Sequence, residues 1–350
     1  MPSTRRTILT AGIGLATPFI QARAAPTRSL TFAAYGGLFQ TLYEPAIVEA
    51  FQRTHPDIGI FYYALPSSTQ VLGLLRRQRG LPQIDVALLD LPSARMASDE
   101  GLLDPIPAGT MPVLSELSPG AIFPGVAGPA VFTEPLAVLY DPATIRPPPV
   151  SWMALWNDTG QKLAIPAPPD PIGLGFTAIA AKLFAGGGDV RSLIGGVTAI
   201  AGLSDRTVSW DPRPDVYRFI GEGRASLGVG WNMPAQWLAA RSGGRLGVAI
   251  PDDAVLSRTT TICLVKGNRQ PEAARQFLAH TLGVEAQKTM VETMFLGPVN
   301  ARARYTDAAI ARTANTPARL AHAIPVDWTV MNMLRDDIEA RWRDTVLRTD

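Results

Sequence analysis

Strand and helix signals alternate along this chain, which restricts it to an α/β fold with crossover connections and a mainly parallel sheet. Residues 29–34 read as a short apolar strand, closed by Tyr35-Gly36-Gly37. Phe39, Leu42, Tyr43, Ala46, Ile47, Ala50 and Phe51 then recur at helical steps. Pro45 within that helix should bend it or remove one of its hydrogen bonds. A strand over 59–64, a helix through Val71, Leu74 and Leu75, and a strand over 85–89 continue the pattern.

Around 131–140 the chain changes character, and Pro142, Pro147, Pro148 and Pro149 mark entry into a second unit. That unit alternates again: strands over 163–165, 207–210 and 227–231, with helices from Gly175 and after Pro212. Beyond Pro251 come a strand over 261–265 and helices over 270–282 and 284–294. A last helix, capped near Asp327, carries Val330, Met333, Leu334, Ile338 and Trp342 on one face. Gly186-Gly187-Gly188 reads as a turn, because it lacks the strand–GxGxxG–helix setting of a dinucleotide site. The expected division is one lobe from 26–135 with 255–350, and a second lobe over 136–254.

The leading residues bear on compartment. Arg5 and Arg6 precede a weakly hydrophobic Gly/Ala-rich stretch, and Ala22-Arg23-Ala24 supplies a small-residue cleavage pattern. Residues 1–25 thus read as a signal peptide resembling the twin-arginine type, although Ile8 and Thr10 depart from that pattern. The apolar run is too short to span a bilayer core of about 30 Å. Export to the periplasm, without stable membrane insertion, is the expectation. Of 32 basic and 30 acidic residues, the leader removes Arg5, Arg6 and Arg23, leaving 29 against 30. A near-neutral mature chain lacks the basic footprint that nucleic acid requires.

Chemistry-bearing motifs are sparse. Cys263 is the one cysteine, so no intrachain disulfide forms, and it lies in an apolar run. His55, His280 and His322 are far apart, and no HExxH, GxSxG or Walker pattern occurs. No metal, cofactor or catalytic role is expected.

The ordered series of segments resembles the extracellular solute-binding proteins of the spermidine/putrescine-binding type. Ala34-Tyr35-Gly36-Gly37 is similar to their aromatic–Gly turn, and Asp85-Val86-Ala87-Leu88-Leu89-Asp90 to their ligand-reaching strand. Val150-Ser151-Trp152-Met153-Ala154-Leu155-Trp156, Gly221-Glu222-Gly223, Gly230-Trp231-Asn232 and Gly297-Pro298-Val299-Asn300 continue the match. The resemblance implies a type II periplasmic binding fold: two doubly wound α/β lobes, a hinge and an interlobe cleft. It further implies a monomer that captures a small-molecule ligand and serves an inner-membrane ABC permease. A periplasmic enzyme or a sensor on the same fold is the competing class.

Ligands of open parallel sheets bind beyond the carboxyl ends of strands, where Tyr35, Asp90, Trp231 and Asn232 fall. Each has a plainer role beside a ligand role. Tyr35 could pack between lobes; Gly36 and Gly37 supply a sharp turn; Asp90 could cap the helix beginning near Ser93; Asn232 could start a helix before Pro234. Glu134 stands near the crossover as a ligand group or a hinge-side salt bridge. Trp152 and Trp156 read as interlobe or core staples.

The chain departs from the polyamine pattern at Ser257-Arg258-Thr259-Thr260, where that pattern has an aromatic and an acid. A guanidinium repels a polycation but suits a carboxylate or phosphonate. Arg258 and Thr260 therefore point to a ligand with an acid group. Asp170, inside Pro168-Pro169-Asp170-Pro171, is a loose match to a second acidic position that would favour a polyamine. Arg258 could instead pair with Asp252 or Asp253 at the hinge.

Overall fold

In the computed structural model, residues 26–347 are described, except 108, 158–159, 188–189 and 326–327. The signal-peptide reading and the Asp327 cap lie outside these residues. Strand β1 (Arg28–Tyr35) leads into α1 (Leu38–Tyr43), a π-type segment over Glu44–Val48 and α2 (Glu49–Thr54). Pro45, which has no N–H to give, sits in the widened turn, so the helix keeps its course by changing its winding. Next come β2 (Ile58–Leu65), α3 (Ser68–Arg77), β3 (Val86–Asp90), α4 (Leu91–Asp99) and β4 (Leu103–Asp104).

The long strand β5 (Ala130–Tyr140) enters the second unit. There β6 (Leu163–Ala164), α5 (Pro171–Ala185), α6 (Val190–Ala201), β7 (Thr207–Ser209), α7 (Val216–Gly221), β8 (Leu227–Trp231), α8 (Asn232–Ala239) and β9 (Gly247–Ala249) follow. Strand β10 (Ser257–Val265) returns to the first unit and precedes α9 (Pro271–Leu282), α10 (Val284–Met294), α11 (Asp307–Ile310) and α12 (Pro317–Ala321). The chain ends in α13 (Trp328–Met333) and α14 (Arg335–Thr345).

The strands form one sheet in the order β2-β1-β3-β10-β5-β8-β6-β7. Pairings β1–β2, β1–β3, β6–β7 and β6–β8 are parallel, while β10 and β5 run antiparallel to their neighbours. Strand β5 joins the halves: residues through Pro135 pair with β10, and from Leu136 onward with β8. One face of the first half buries Phe32, Tyr43, Phe132 and Phe277 under α1, α2, α9 and α10, and the other packs Val71, Leu75 and Ala94 from α3 and α4. Cys263 is buried in the second of these clusters, as a small core hydrophobe, with burial pushing its thiol up to about 12.

Two expectations need correction. The last helix is broken at Leu334, and Met333 is 71 % exposed rather than on the buried face. Residues up to 350 were also expected in the first lobe. Instead Ile338 and Trp342 of α14 join Leu136, Phe176 and Trp231 in the second half's core. Trp342 donates its indole N–H to Thr177 Oγ1 at 2.9 Å and meets Trp210 edge-on. Burying a large indole with its polar atom satisfied outweighs proximity along the chain.

Candidate functional site

Two strand ends of the first half are tied by one hydroxyl. Ser68, in the first turn of α3, accepts the Asp90 backbone N–H at 2.7 Å and lies 2.8 Å from the Tyr35 hydroxyl. The Tyr35 carbonyl accepts from the Tyr62 hydroxyl at 2.6 Å. Burial, then the negative charge of Asp90, push the Tyr35 phenol up to about 12, so it is neutral at any physiological pH. Gly37, at φ 66°, makes the left-handed turn from β1 into α1, and the Tyr35 ring meets Phe39 of α1 edge-on. Gly36 lies against Ala64, where an added methyl group would sit 3.3 Å from its Cβ. Asp90 accepts the Ser93 N–H at 2.9 Å and caps α4, while staying half-buried at the rim.

Glu134 and Arg258 are cross-strand partners in β5 and β10. Glu134 Oε2 accepts from Arg258 Nε at 2.9 Å and Nη2 at 2.5 Å, and its Oε1 accepts the Met233 N–H at 2.9 Å. One carboxylate, 1 % exposed, thus answers a guanidinium and the first turn of α8. The Arg258 guanidinium lies 4.3 Å over the Trp231 ring, and 35 % of its side chain is reachable by solvent. Burial alone would lower its pKa; the charge and hydrogen bonds of Glu134, together with Tyr35 and Tyr217, outweigh that and hold it above its ordinary value. Neither Asp252 nor Asp253 pairs with it. Asp252 holds Arg319, and Asp253 accepts from Ser151 and from the Trp152 N–H.

The second half contributes Asp170, Tyr217 and Trp231. Asp170 caps α5 through the Ile172 N–H at 2.8 Å. Solvent reaches it, yet surrounding protein raises its carboxyl pKa, against a partial lowering by the Ile172 bond and by Arg258. Trp231 is 7 % exposed, and its N–H donates to the Tyr217 hydroxyl at 2.9 Å. Burial, then the charge of Glu134, keep that phenol neutral and far above its usual range. Arg258 acts electrostatically on Tyr35, Tyr217 and Asp170, so groups from both halves converge on it.

Two of the expected site residues are buried within the fold. Asn232 is fully buried: its amide donates to the carbonyls of Phe295 and Arg312, and its oxygen accepts from Gln236. It clamps α8 to the return segment. Thr260 is also buried, paired in register with Asp90 and Phe132; its Oγ1 approaches the Tyr35 hydroxyl without completing a hydrogen bond. Tyr217 was not anticipated. Its signal is the glycine at 230, where a Cβ would stand 2.7 Å from the Tyr217 ring, so a bare strand position marked an incoming aromatic. Trp152 and Trp156 are staples, donating to the carbonyls of Ala254 and Ala199.

A surface hollow of about 610 Å³ between Arg79, Glu100 and Lys266 lies at the far ends of α3 and α4 and shares no residue with this region. Solutes of open α/β sheets bind at the carboxyl ends of strands, where Tyr35, Asp90 and Trp231 stand. Among the described residues no three His, Cys, Asp or Glu side chains gather to hold a metal, and no helix is long and apolar enough to cross a membrane.

Two α/β halves sharing a sheet, with aromatic and charged groups from both meeting at the strand ends, define a two-lobed binding protein. Residues 30–295 match the family described as bacterial extracellular solute-binding protein, and the chain belongs to that family of binding proteins. No curated protein matches the sequence. Among solved structures, an ABC transporter protein from Clostridium perfringens is 19 % identical, with TM-score 0.72 over 91 % of this chain and 99 % of that one. The spermidine/putrescine substrate-binding protein PotD of Streptococcus pneumoniae is 14 % identical, with TM-score 0.74 and coverage of 91 % and 99 %. MotA of A. tumefaciens, solved with glucopine, is 16 % identical, with TM-score 0.70 and the same coverage. These likenesses establish the fold.

Proposed function

We propose that this protein captures a small polar solute with an acid group in the cleft between its lobes and delivers it to an inner-membrane ABC permease. The observation that carries the reading is the Arg258 guanidinium, backed by Trp231 and partly open to solvent. Nε and Nη2 are held by Glu134, while Nη1 has no acceptor among the described residues. A carboxylate entering beside Tyr35 would complete that fork. Capture needs no general base, and none is assigned. The lobes are taken as 26–135 with the return segment from 255, and 136–254 with α14.

A second reading, a polyamine ligand, is favoured by the Glu134–Arg258 pairing, which spends the guanidinium's charge while Asp90 and Asp170 remain on the walls. Relatives differ in what their names record, from spermidine/putrescine to glucopine, so the fold does not choose. A thermal-shift screen with succinate, amino acids, phosphonates and polyamines tests both readings. At a hundredfold excess over Kd a ligand adds about 2.7 kcal/mol. Shifts with acids that vanish in Arg258→Gln support the first reading; shifts with polyamines alone replace it with the second.

Export by the twin-arginine route, with 1–25 removed in the periplasm, belongs to the same proposal. Replacing Arg5 and Arg6 by Lys should leave folded precursor inside the cell. Normal periplasmic yield would rule that route out.

A further inference from the structure

A polar cavity of about 300 Å³ lies beside the crossover, lined by Val150, Gln236, Ile250, Asp252, Arg312 and Arg319 among others. It shares no side chain with the cleft. Its two guanidinium groups differ in how they are occupied. Arg319 is paired with a carboxylate: Nε donates to Asp252 Oδ1 at 2.9 Å, and Nη1 donates to the carbonyls of Ala311 and Thr313, each at 2.6 Å. Arg312 gives only its Nε, to Gln236 Oε1 at 2.9 Å, while its guanidinium carbon lies 3.8 Å over the Phe295 ring. Neither of its Nη atoms has an acceptor, and no carboxylate pairs with it, among the described residues.

We propose that this cavity is a second binding site, for a small oxyanion held by the outer Nη fork of Arg312. Arg312 is half-buried and stacked on an aromatic face, where a guanidinium is stabilised by a counter-charge. The one carboxylate on the lining, Asp252, is taken by Arg319. The pair of free Nη groups presents parallel donors, the arrangement that carboxylate and phosphate oxygens match in two-point fashion. Burial lowers the pKa of Arg312, consistent with a cation that still lacks its partner.

Location gives the site a role. Gln236 belongs to α8, Ile250 and Asp252 to the crossover, and Arg312 and Arg319 to the return segment. An oxyanion here would reinforce the clamp in which Asn232 already holds the Arg312 carbonyl at 2.8 Å. It would tie together three segments on which any hinge rotation depends, independently of the solute in the cleft.

The test is calorimetric titration of the purified full-length chain with succinate and, separately, with inorganic phosphate. Wild type, Arg258→Gln and Arg312→Gln are compared. Binding retained in Arg258→Gln and weakened at least about tenfold in Arg312→Gln is the expected result. Succinate alone would name a carboxylate effector, phosphate alone a phosphate source, and both an undiscriminating oxyanion site. Should Arg312→Gln fail to fold, Val150→Glu serves instead, because it offers an internal carboxylate across the cavity and should abolish oxyanion binding. The proposal is overturned by no binding of either anion to wild type. It is equally overturned by binding lost in Arg258→Gln but kept in Arg312→Gln, or unchanged in folded Val150→Glu.

Discussion

Arg258 and Glu134 face each other across β10 and β5, with Nη2 2.5 Å from a carboxylate that is almost entirely buried. The pair stands at the seam between the two cores, where Phe132 and Met233 of one adjoin Leu136 and Trp231 of the other. Removing Glu134 leaves the half-buried Arg258 guanidinium uncompensated and strands the Met233 N–H. Glu134→Ala should therefore cost about 2–4 kcal/mol in urea unfolding, less than a fully buried pair because Arg258 is partly solvated. A loss below about 0.5 kcal/mol would mean the pair contributes no more than a surface bridge.

Trp231 supports Arg258 more than it lines open space. Trp231→Phe keeps a ring under the guanidinium, so it should retain binding of the cleft solute and fold with a modest loss. Trp231→Ala opens a cavity and should destabilise by about 3–5 kcal/mol. Solute affinity that is unchanged in a folded Trp231→Ala would detach the indole from recognition altogether.

Asp170 carries a pH signature. Although solvent reaches it, the surrounding protein raises its carboxyl pKa above the ordinary value of 3.8. The folded state thus binds this proton more tightly than the unfolded state does, and the group's contribution to stability declines as pH rises through the folded pKa. Asp170→Asn keeps an acceptor for the Ile172 N–H and removes the charge. Its melting temperature should exceed wild type near neutral pH, with the gap closing as pH falls below the unfolded value. A constant gap across that window would assign the effect to capping instead.

Trp342 closes the second core from the far end of the chain. Trp342→Ala should cost about 3–5 kcal/mol, measured by denaturant unfolding. Near-wild-type stability would mean that α14 is dispensable to that lobe.

Much of the architecture was legible because it is written in local periodicity. The alternation up to Leu89 gave β1, β2, β3 and the helices between them, and Pro45 announced its distorted turn. What escaped was set by distance. Nothing local pairs Glu134 with Arg258, 124 positions on, or sends Trp342 to Thr177. Asp90 was readable as a possible cap because capping acts within three residues, and Asn232 as a helix start, but its clamp on Phe295 and Arg312 was not, because those partners lie far along the chain. Strand ends could be identified from sequence, but which of their side chains face solvent could not.

Strand β10 lies between β3 and β5, although both of those are synthesised long before it. As the chain emerges from the ribosome, β3 and β5 each have an open edge until residues 257–265 arrive to fill the gap. Such edges are templates for pairing with other chains. The first lobe cannot close during most of translation, and the second waits for Trp342. Folding is thereby deferred until residues 257–265 and Trp342 have been made, and until then the nascent chain depends on being kept from its neighbours.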